Sequence, residues 1–279
     1  MSLERITNLL VTITLIEMML AIGLGVTFAE LGAVARNRGL LLRAALANYV
    51  CVPAFTVALL FLFHAQPMVA AGFLILAVCP GAPFGPACTA LARGNVSTAV
   101  GTMVFLAGSS ALLAPLMLRF LLPLMGGNQP LQVDAAGMVT ALFATQLAPL
   151  MIGLAVRHGW PSVAQKVKSP SDKLSAILSL VTLGFLLVIQ FPALKEIRLV
   201  GFGGMGILLI ASLASGWILG GPGRADRSAL ALTTSLRNVG VGLVIATRTF
   251  ADTPAVLAVA AYGIVEIIGS VLVALWWRR

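Results

Sequence analysis

The sequence predicts an all-α protein that crosses a membrane about nine times. Of its 279 residues, 59% are hydrophobic and only 10% are charged, with a mean hydropathy of +1.04. A soluble domain, by contrast, has roughly a quarter of its residues charged. Since one spanning helix needs roughly 20 apolar residues to cross about 30 Å of hydrocarbon, the chain has no room for a separate water-soluble domain.

Apolar stretches bounded by charged or Pro/Gly-rich segments divide the chain into nine predicted spans. They cover residues 6–29, 40–63, 68–92, 96–122, 135–156, 173–191, 199–220, 227–249 and 254–277. The first stretch is too long for the apolar region of a signal peptide and lacks a small-residue cleavage site. We therefore expect it to remain as a transmembrane helix.

The basic residues predict the orientation of these spans. With the N-terminus outside, the cytoplasmic segments carry Arg36, Arg38, Arg43, Arg93, Arg157, Lys166, Lys168, Lys173, Arg224, Arg227, Arg278 and Arg279, and the outer side carries Arg5, Arg119, Lys195, Arg198 and Arg248. Cytoplasmic loops are enriched in Lys and Arg. The formal charge of +9 therefore indicates an inner-membrane protein with a cytoplasmic C-terminus, and no nucleic-acid partner is expected.

Two spans contain residues that interrupt a helix. The third has Cys-Pro-Gly-Ala-Pro-Phe-Gly-Pro at 79–86, and the eighth has Thr-Thr-Ser-Leu-Arg-Asn-Val-Gly-Val-Gly at 233–242. A simple proline kink is the alternative interpretation. However, breaks in corresponding spans of two halves are typical of inverted repeats around a binding site. We predict a four-helix repeat at 1–124, broken at 79–87, and a five-helix repeat at 125–279, broken at 233–242.

Three charged residues fall near the middle of the predicted spans, namely Glu17, Arg237 and Glu266. A charge at the bilayer centre costs at least about 2.5–3.5 kcal/mol unless it is paired or hydrated. Each is therefore a candidate for function, with an ion pair between Arg237 and a carboxylate as the structural alternative. The sequence has no zinc-protease or serine-hydrolase motif. We expect no enzyme, catalytic residue, cofactor or metal.

Several motifs resemble those of the bile acid:sodium symporter family. They are Cys-Pro-Gly at 79–81, Leu-Ala-Arg-Gly-Asn-Val at 91–96, Ser-Ser-Ala-Leu-Leu-Ala-Pro at 109–115 and Arg-Asn-Val-Gly at 237–240. The similarity extends over nearly the whole chain. It implies a ten-helix fold of two inverted repeats, with a panel domain and a core domain in which two broken helices cross. The chain begins at what resembles the second family helix, so we expect nine spans.

The sequence departs from this family at the positions that the resemblance assigns to sodium coupling. Where the family has an acidic residue and a glutamine in the second broken helix, this chain has Thr233 and Arg237. The full set of ion-coupling positions falls on Asn48, Ala99, Met103, Thr233, Leu236 and Arg237. A guanidinium has five donors and no acceptor, so it cannot bind sodium. We predict that Arg237 replaces the bound cation permanently.

The substrate side of the site is expected to favour an anion. Two half-helices that begin near the breaks would direct free N–H groups and positive dipole ends towards it. Arg237 and Asn238 are the first candidates for direct contact. The further candidates lie behind them and are Thr234, Thr89, Pro86 and Gly85. Glu17 and Glu266 are the carboxylates in a position to carry a proton or pair with a charge.

The sequence therefore predicts a secondary transporter of a small organic anion, such as a bile acid-, sulfonate- or oxo acid-like compound, that works by alternating access without sodium. Its expected partners are this anion and the lipid bilayer, and a homodimer would cover a panel face left exposed. An ordinary sodium-coupled symporter is one alternative. A receptor or structural membrane protein that kept the fold without transport is the other.

Overall fold

A computed structural model describes residues 3–126, 131 and 134–278, which leaves Arg279 outside the described residues. Within this part the protein is helical, with no strand. The α-helices are α1 (Leu3–Gly25), α2 (Phe28–Arg36), α3 (Arg38–Ala45), α4 (Val52–Leu62), α5 (Pro67–Ala77), α6 (Phe84–Leu91), α7 (Val96–Gly126), α8 (Ala135–Leu142), α9 (Ala148–Gly159), α10 (Pro161–Glu196), α11 (Leu199–Leu219), α12 (Arg224–Ser235), α13 (Val239–Thr249) and α14 (Pro254–Trp277). A first π-helical segment, Leu46–Cys51, joins α3 to α4, and a second, Phe143–Leu147, joins α8 to α9.

The predicted spans correspond to these helices. Among the described residues, seven helical stretches are long and apolar enough to cross a membrane: Arg5–Gly25, Arg38–Leu62, Val96–Gly126, Ala135–Gly159, Leu199–Leu219, Arg224–Thr249 and Pro254–Trp277. The third predicted span consists of α5 and α6 with a break between them, and the sixth lies within α10. The prediction of an all-α polytopic membrane protein is confirmed.

Several boundaries of the predicted spans differ from the helix ends, and two of these differences have a local cause. The first span ends at Gly25 rather than at residue 29, because Thr27 caps a new helix: its hydroxyl accepts the Glu30 N–H, and Glu30 bonds back to the Thr27 N–H. The sixth helix starts at Pro161, twelve residues before the predicted start at 173. In its polar first part, Lys168 and Asp172 lie one helical turn apart and form an ion pair.

Both predicted breaks exist, but they are shorter than expected. The first separates α5, which ends at Ala77, from α6, which begins at Phe84, and the second covers residues 236–238 between α12 and α13. Gly81 has φ +88°, and a Cβ there would lie 2.6 Å from the Ala107 nitrogen of α7. The first break therefore requires glycine for both its conformation and its close packing.

The helices pack as two groups. The panel group consists of α1, α8–α9 and α10, which pack against one another, and Gly23 and Gly153 allow α1 and α9 to approach closely. The core group contains the two broken helices with α3–α4, α7, α11 and α14. The crossing of the breaks lies in the core group. The helix α13, which follows the second break, contacts α1 of the panel group. The division into repeats at 1–124 and 125–279 stays a prediction.

Candidate functional site

The two breaks meet directly through their backbones. The N–H of Asn238 donates to the carbonyl of Cys79 over 2.9 Å, which joins the second break to the first. The N–H of Arg237 donates to Oε1 of Glu266 on α14, 2.8 Å away. Unwound backbone at membrane depth must find partners within the protein. Here one partner is the other break and another is a buried carboxylate.

The side chain of Arg237 is buried at this crossing, with an exposed fraction of 2%. Its Nη1 donates to Oδ1 of Asn48, 3.0 Å away in the first π segment. The Asn48 amide in turn donates to the hydroxyl of Thr234 at 3.1 Å and to the Ala44 carbonyl at 3.0 Å. The first π segment therefore provides the amide of Asn48, whose oxygen accepts a hydrogen bond from the guanidinium.

The guanidinium is not paired with the buried carboxylate beside it. In the described part of the chain the Lys168–Asp172 pair is the one salt bridge, so no nitrogen of the Arg237 side chain lies within 4.0 Å of Glu266. Nε and Nη2 of Arg237, Oε2 of Glu266 and the Tyr262 hydroxyl are all buried without a hydrogen-bond partner among the described residues. Nε and Nη2 form the edge of a guanidinium that binds a carboxylate in a bidentate manner.

A polar stripe on α14 faces the second break. Tyr262, Glu266 and Ser270 are spaced four residues apart and are all fully or almost fully buried. Besides the bond from Glu266 to the break, the Ser270 hydroxyl lies 3.0 Å from that of Ser235, the last residue of α12. Within this stripe, Glu266 bonds to the second break and Ser270 to the helix end just before it.

Asn238 connects the crossing to the panel group. Its Nδ2 donates to Oε1 of Gln146, 2.9 Å away in the second π segment, while its Oδ1 caps α13 by accepting the Val241 N–H. A second bond across the same seam joins the Thr247 hydroxyl to Oδ1 of Asn8 on α1 at 2.8 Å. Both π segments thus present a buried amide to the second break, as π bulges frequently do at functional sites.

A narrow cleft of about 90 Å³ lies between the two groups at the crossing. Its lining residues come from both breaks and from α1, α10, α13 and α14. Arg237, Asn238 and Leu236 are among them, as are Val239 and Gly240, the first residues of α13. The N-terminal end of α13 therefore faces the cleft, and most of the other lining side chains are apolar.

The other predicted substrate residues do not line this cleft. Thr89 is fully buried and its hydroxyl donates to the Gly85 carbonyl over 2.9 Å. Gly85 packs against Thr233, whose Cγ2 would lie 2.9 Å from a Cβ at Gly85. The Thr234 hydroxyl accepts a hydrogen bond from Asn48, and Thr234 is not a lining residue. Pro86 is half-buried on α6 and is likewise not a lining residue.

Of the remaining positions that the resemblance assigned to ion coupling, which are Ala99, Met103, Thr233 and Leu236, only Thr233 carries a side-chain oxygen. Ala99 and Met103 are fully buried on α7. Thr233 donates its hydroxyl to the Ala229 carbonyl at 2.9 Å. No group of three His, Cys, Asp or Glu residues that could hold a metal ion occurs in the described ranges.

The two candidate carboxylates have different surroundings. Glu266 lies in the crossing, as described above. Glu17 is half-buried on α1 and accepts a hydrogen bond from Ser171 of α10 at 2.7 Å. It belongs to the α1–α10 contact within the panel group and does not line the cleft.

Several residues of the site were not predicted. They are Gln146, Tyr262, Ser270 and the cleft-lining hydroxyl residues Thr14, Ser179 and Thr182. Two signals were available: a lone amide in the apolar stretch 135–156, and three polar residues at helical spacing around Glu266. The hydroxyl residues carry no such signal, since Ser and Thr commonly bond to their own helix backbone.

The chain is similar to known membrane transporters. It is 23% identical to "Probable sodium/metabolite cotransporter BASS2, chloroplastic" of Oryza sativa subsp. japonica, over 97% of this chain and 64% of that protein. It is 23% identical to "Probable sodium/metabolite cotransporter BASS1, chloroplastic" of Arabidopsis thaliana, over 93% of this chain and 65% of that protein. It is 24% identical to "Uncharacterized sodium-dependent transporter YocS" of Bacillus subtilis, over 96% of this chain and 83% of that protein. The chain thus spans slightly less than two thirds of the length of the two plant relatives.

The resemblance noted from the sequence motifs is confirmed by a match to the family described as "Sodium Bile acid symporter family" over residues 12–197. This match covers α1 to α10, including the first break, both π segments and the panel group. Together with the crossing of two broken helices, it shows that the chain belongs to the Sodium Bile acid symporter family of membrane transporters.

Proposed function

We propose that this protein is a secondary transporter of a small organic anion, and that it works by alternating access without sodium coupling. The observation that carries the proposal is the buried Arg237 guanidinium at the crossing, bonded through Nη1 to Asn48. Its Nε and Nη2 have no partner among the described residues. A permanent positive charge beside a cleft favours an anionic ligand.

The bond between Arg237 and Asn48 also supports sodium independence. Family resemblance assigns both residues to ion-coupling positions, and here a cationic side chain donates to the amide oxygen that a sodium ion would need. Ala99, Met103 and Leu236, at three other such positions, have no side-chain oxygen. A sodium ion at this place would lose oxygen ligands and meet a positive charge.

Alternating access is supported by the position of the cleft between the panel and core groups. Relative motion of the two groups would expose Arg237 to either side of the membrane. The described side-chain hydrogen bonds between α13 or its cap and the panel group are those of Asn238 with Gln146 and of Thr247 with Asn8. Breaking two bonds of this kind costs about 0.5–1.5 kcal/mol each. We also propose that the protein lies in the inner membrane with its N-terminus outside, and that it forms a homodimer.

Sodium-coupled symport is the second candidate, because the names of all three relatives refer to sodium. The deciding experiment is uptake into proteoliposomes, driven separately by gradients of sodium, potassium or protons. We expect carboxylate or sulfonate uptake that is unchanged when potassium replaces sodium. Uptake that requires sodium would contradict the proposal and favour the second candidate.

Arg237→Ala tests the anion site itself, with Arg248→Ala as the matched control. Arg248 lies in the last turn of α13 and is exposed, so its loss removes the same charge elsewhere on the broken helix. We expect carboxylate-induced thermal stabilisation to disappear in Arg237→Ala and to persist in Arg248→Ala. Equal stabilisation of both variants would show that Arg237 has a structural role only, and binding without flux would indicate a receptor.

A further inference from the structure

One wall of the cleft carries hydroxyl groups, whereas the rest of it is largely apolar. Thr14 of α1 and Ser179 and Thr182 of α10 are lining residues contributed by the panel group. Their exposed fractions are 7%, 8% and 8%, so each side chain is more than nine-tenths buried. Arg237 lines the same cleft from the core group.

The protons of these hydroxyl groups are already used within the protein. Thr14 donates to the Leu10 carbonyl at 2.8 Å, and its oxygen lies 2.7 Å from that of Thr182. Because a hydroxyl has one proton, both bonds form at once when Thr14 donates to Leu10 and Thr182 donates to Thr14. Ser179 donates to the Ser175 carbonyl at 2.6 Å. Thr182 and Ser179 therefore retain lone pairs but no proton, and this wall can only accept hydrogen bonds.

The core side of the cleft has the opposite character. Nε and Nη2 of Arg237 are donors without a partner among the described residues, and the N-terminal end of α13 adds the backbone N–H of Gly240, whereas the Val239 N–H donates to the Arg237 carbonyl at 2.8 Å. A buried polar group without a partner is unfavourable. The cleft thus requires an acceptor at its core end and a donor at its panel end, with apolar surface between them.

We infer that the transported anion carries a hydrogen-bond donor, a hydroxyl or an amide N–H, at the opposite end of an apolar body from its carboxylate or sulfonate. Thr182 and Ser179 accept this hydrogen bond, while Arg237 binds the anionic group. The inference rests on the proposed function, since it assigns the second end of the same ligand. A site that hydrogen-bonds a substrate group discriminates against the analogue that lacks it.

The test compares short ω-hydroxycarboxylates with the same carboxylates lacking the hydroxyl, by titrated thermal stabilisation of the purified protein. We expect the hydroxylated member of a pair to bind about tenfold more tightly, the effect of one net hydrogen bond of about 1.4 kcal/mol. Thr182→Val should remove this preference, so that the two members of a pair bind with similar affinity. In this variant Thr14 keeps its bond to Leu10, so the local fold is retained.

Ser179→Ala serves as a second variant should Thr182→Val fold poorly, and Ser175→Ala is the matched control. Ser175 lies one turn from Ser179 on α10, is buried and does not line the cleft. We expect Ser179→Ala to weaken the preference and Ser175→Ala to leave it unchanged.

Two outcomes would overturn the inference. Equal binding of both members of every pair by the unmodified protein, with binding still lost in Arg237→Ala, would refute the acceptor wall and leave the anion site standing. Absence of carboxylate binding altogether, with no effect of Arg237→Ala, would refute the proposed function and this inference together.

Discussion

Arg237 and Asn48, 189 residues apart in the sequence, are joined by a hydrogen bond of 3.0 Å between Nη1 and Oδ1. The bond fixes the guanidinium by one nitrogen and leaves its Nε–Nη2 edge without a partner in the described structure. A cation that is held in this way occupies the crossing of the two breaks permanently. The positive charge that the proposed function uses to attract an anion therefore belongs to the protein chain.

Replacement of Asn48 by Ala tests this relationship. The variant leaves the buried Nη1 of Arg237 and the Thr234 hydroxyl without their partner. We expect a loss of about 1–3 kcal/mol in the free energy of unfolding, together with weaker carboxylate binding, because the guanidinium is no longer held. Asn48→Gln, which retains the amide, is the control. Unchanged stability in Asn48→Ala would show that the bond contributes nothing.

Glu266 is expected to support the second break mainly through its oxygen acceptor. Glu266→Gln keeps an oxygen for the Arg237 N–H and should fold normally, whereas Glu266→Ala removes it and should cost about 1–3 kcal/mol. Denaturation in detergent would measure both values. Equal stabilities of the two variants would contradict this role.

Loss of the negative charge at Glu266 should also affect the ligand. Since the carboxylate opposes an anion beside Arg237, Glu266→Gln should bind carboxylates roughly three- to tenfold more tightly. Titrated thermal stabilisation at low salt would measure the change. A lower affinity in Glu266→Gln would mean that the carboxylate binds the ligand rather than opposing it.

The bond between Asn238 and Gln146 crosses from the core group to the panel group. In a double-mutant cycle with Asn238→Ala and Gln146→Ala we expect a coupling free energy of about 0.5–1.5 kcal/mol in unfolding measurements. The pair Asn238→Ala and Thr56→Ala is the control, since Thr56 bonds only to the Val52 carbonyl of its own helix. Additive effects of Asn238→Ala and Gln146→Ala would show that the two groups are not coupled here.

Gly81 should be far less replaceable than a glycine in open space. Gly81→Ala combines φ +88° with a Cβ only 2.6 Å from the Ala107 nitrogen. We expect it to lower the free energy of unfolding by about 3 kcal/mol or more. In Gly203→Ala of α11 no atom lies within 4 Å of the new Cβ, and we expect a gain of up to about 1 kcal/mol. Similar stabilities of the two variants would contradict the tight packing of the first break.

The number and order of the helices were largely predictable because hydropathy and helix-breaking residues are local properties. The long polar start of α10 was missed, since its helix depends on contact with α1 rather than on apolar length. Residues 79–87 and 233–242 were identified as breaks through their Pro, Gly and polar content. Their true ends depend on capping and on the bond from Asn238 to Cys79, which no local pattern contains.

For the site, sequence reasoning selected Arg237, Asn238 and Glu266, because charged and amide side chains are rare at membrane depth. It did not select Gln146 or Tyr262, whose importance depends on which helix face meets the second break. It also assigned Thr89 to the ligand, although this hydroxyl bonds within α6. Such assignments require the rotation of each helix, which is set by packing.

The sequence by itself determined that the protein spans a membrane, that two of its helices are broken, and that one arginine lies within the membrane region. These properties follow from composition and from the backbone chemistry of proline and glycine. The tertiary structure alone decided that Arg237 bonds to Asn48 instead of pairing with Glu266, and that Thr14, Ser179 and Thr182 line the same cleft as Arg237. The reason is physical: partners separated by more than a hundred residues are chosen by helix packing, which a linear pattern does not encode.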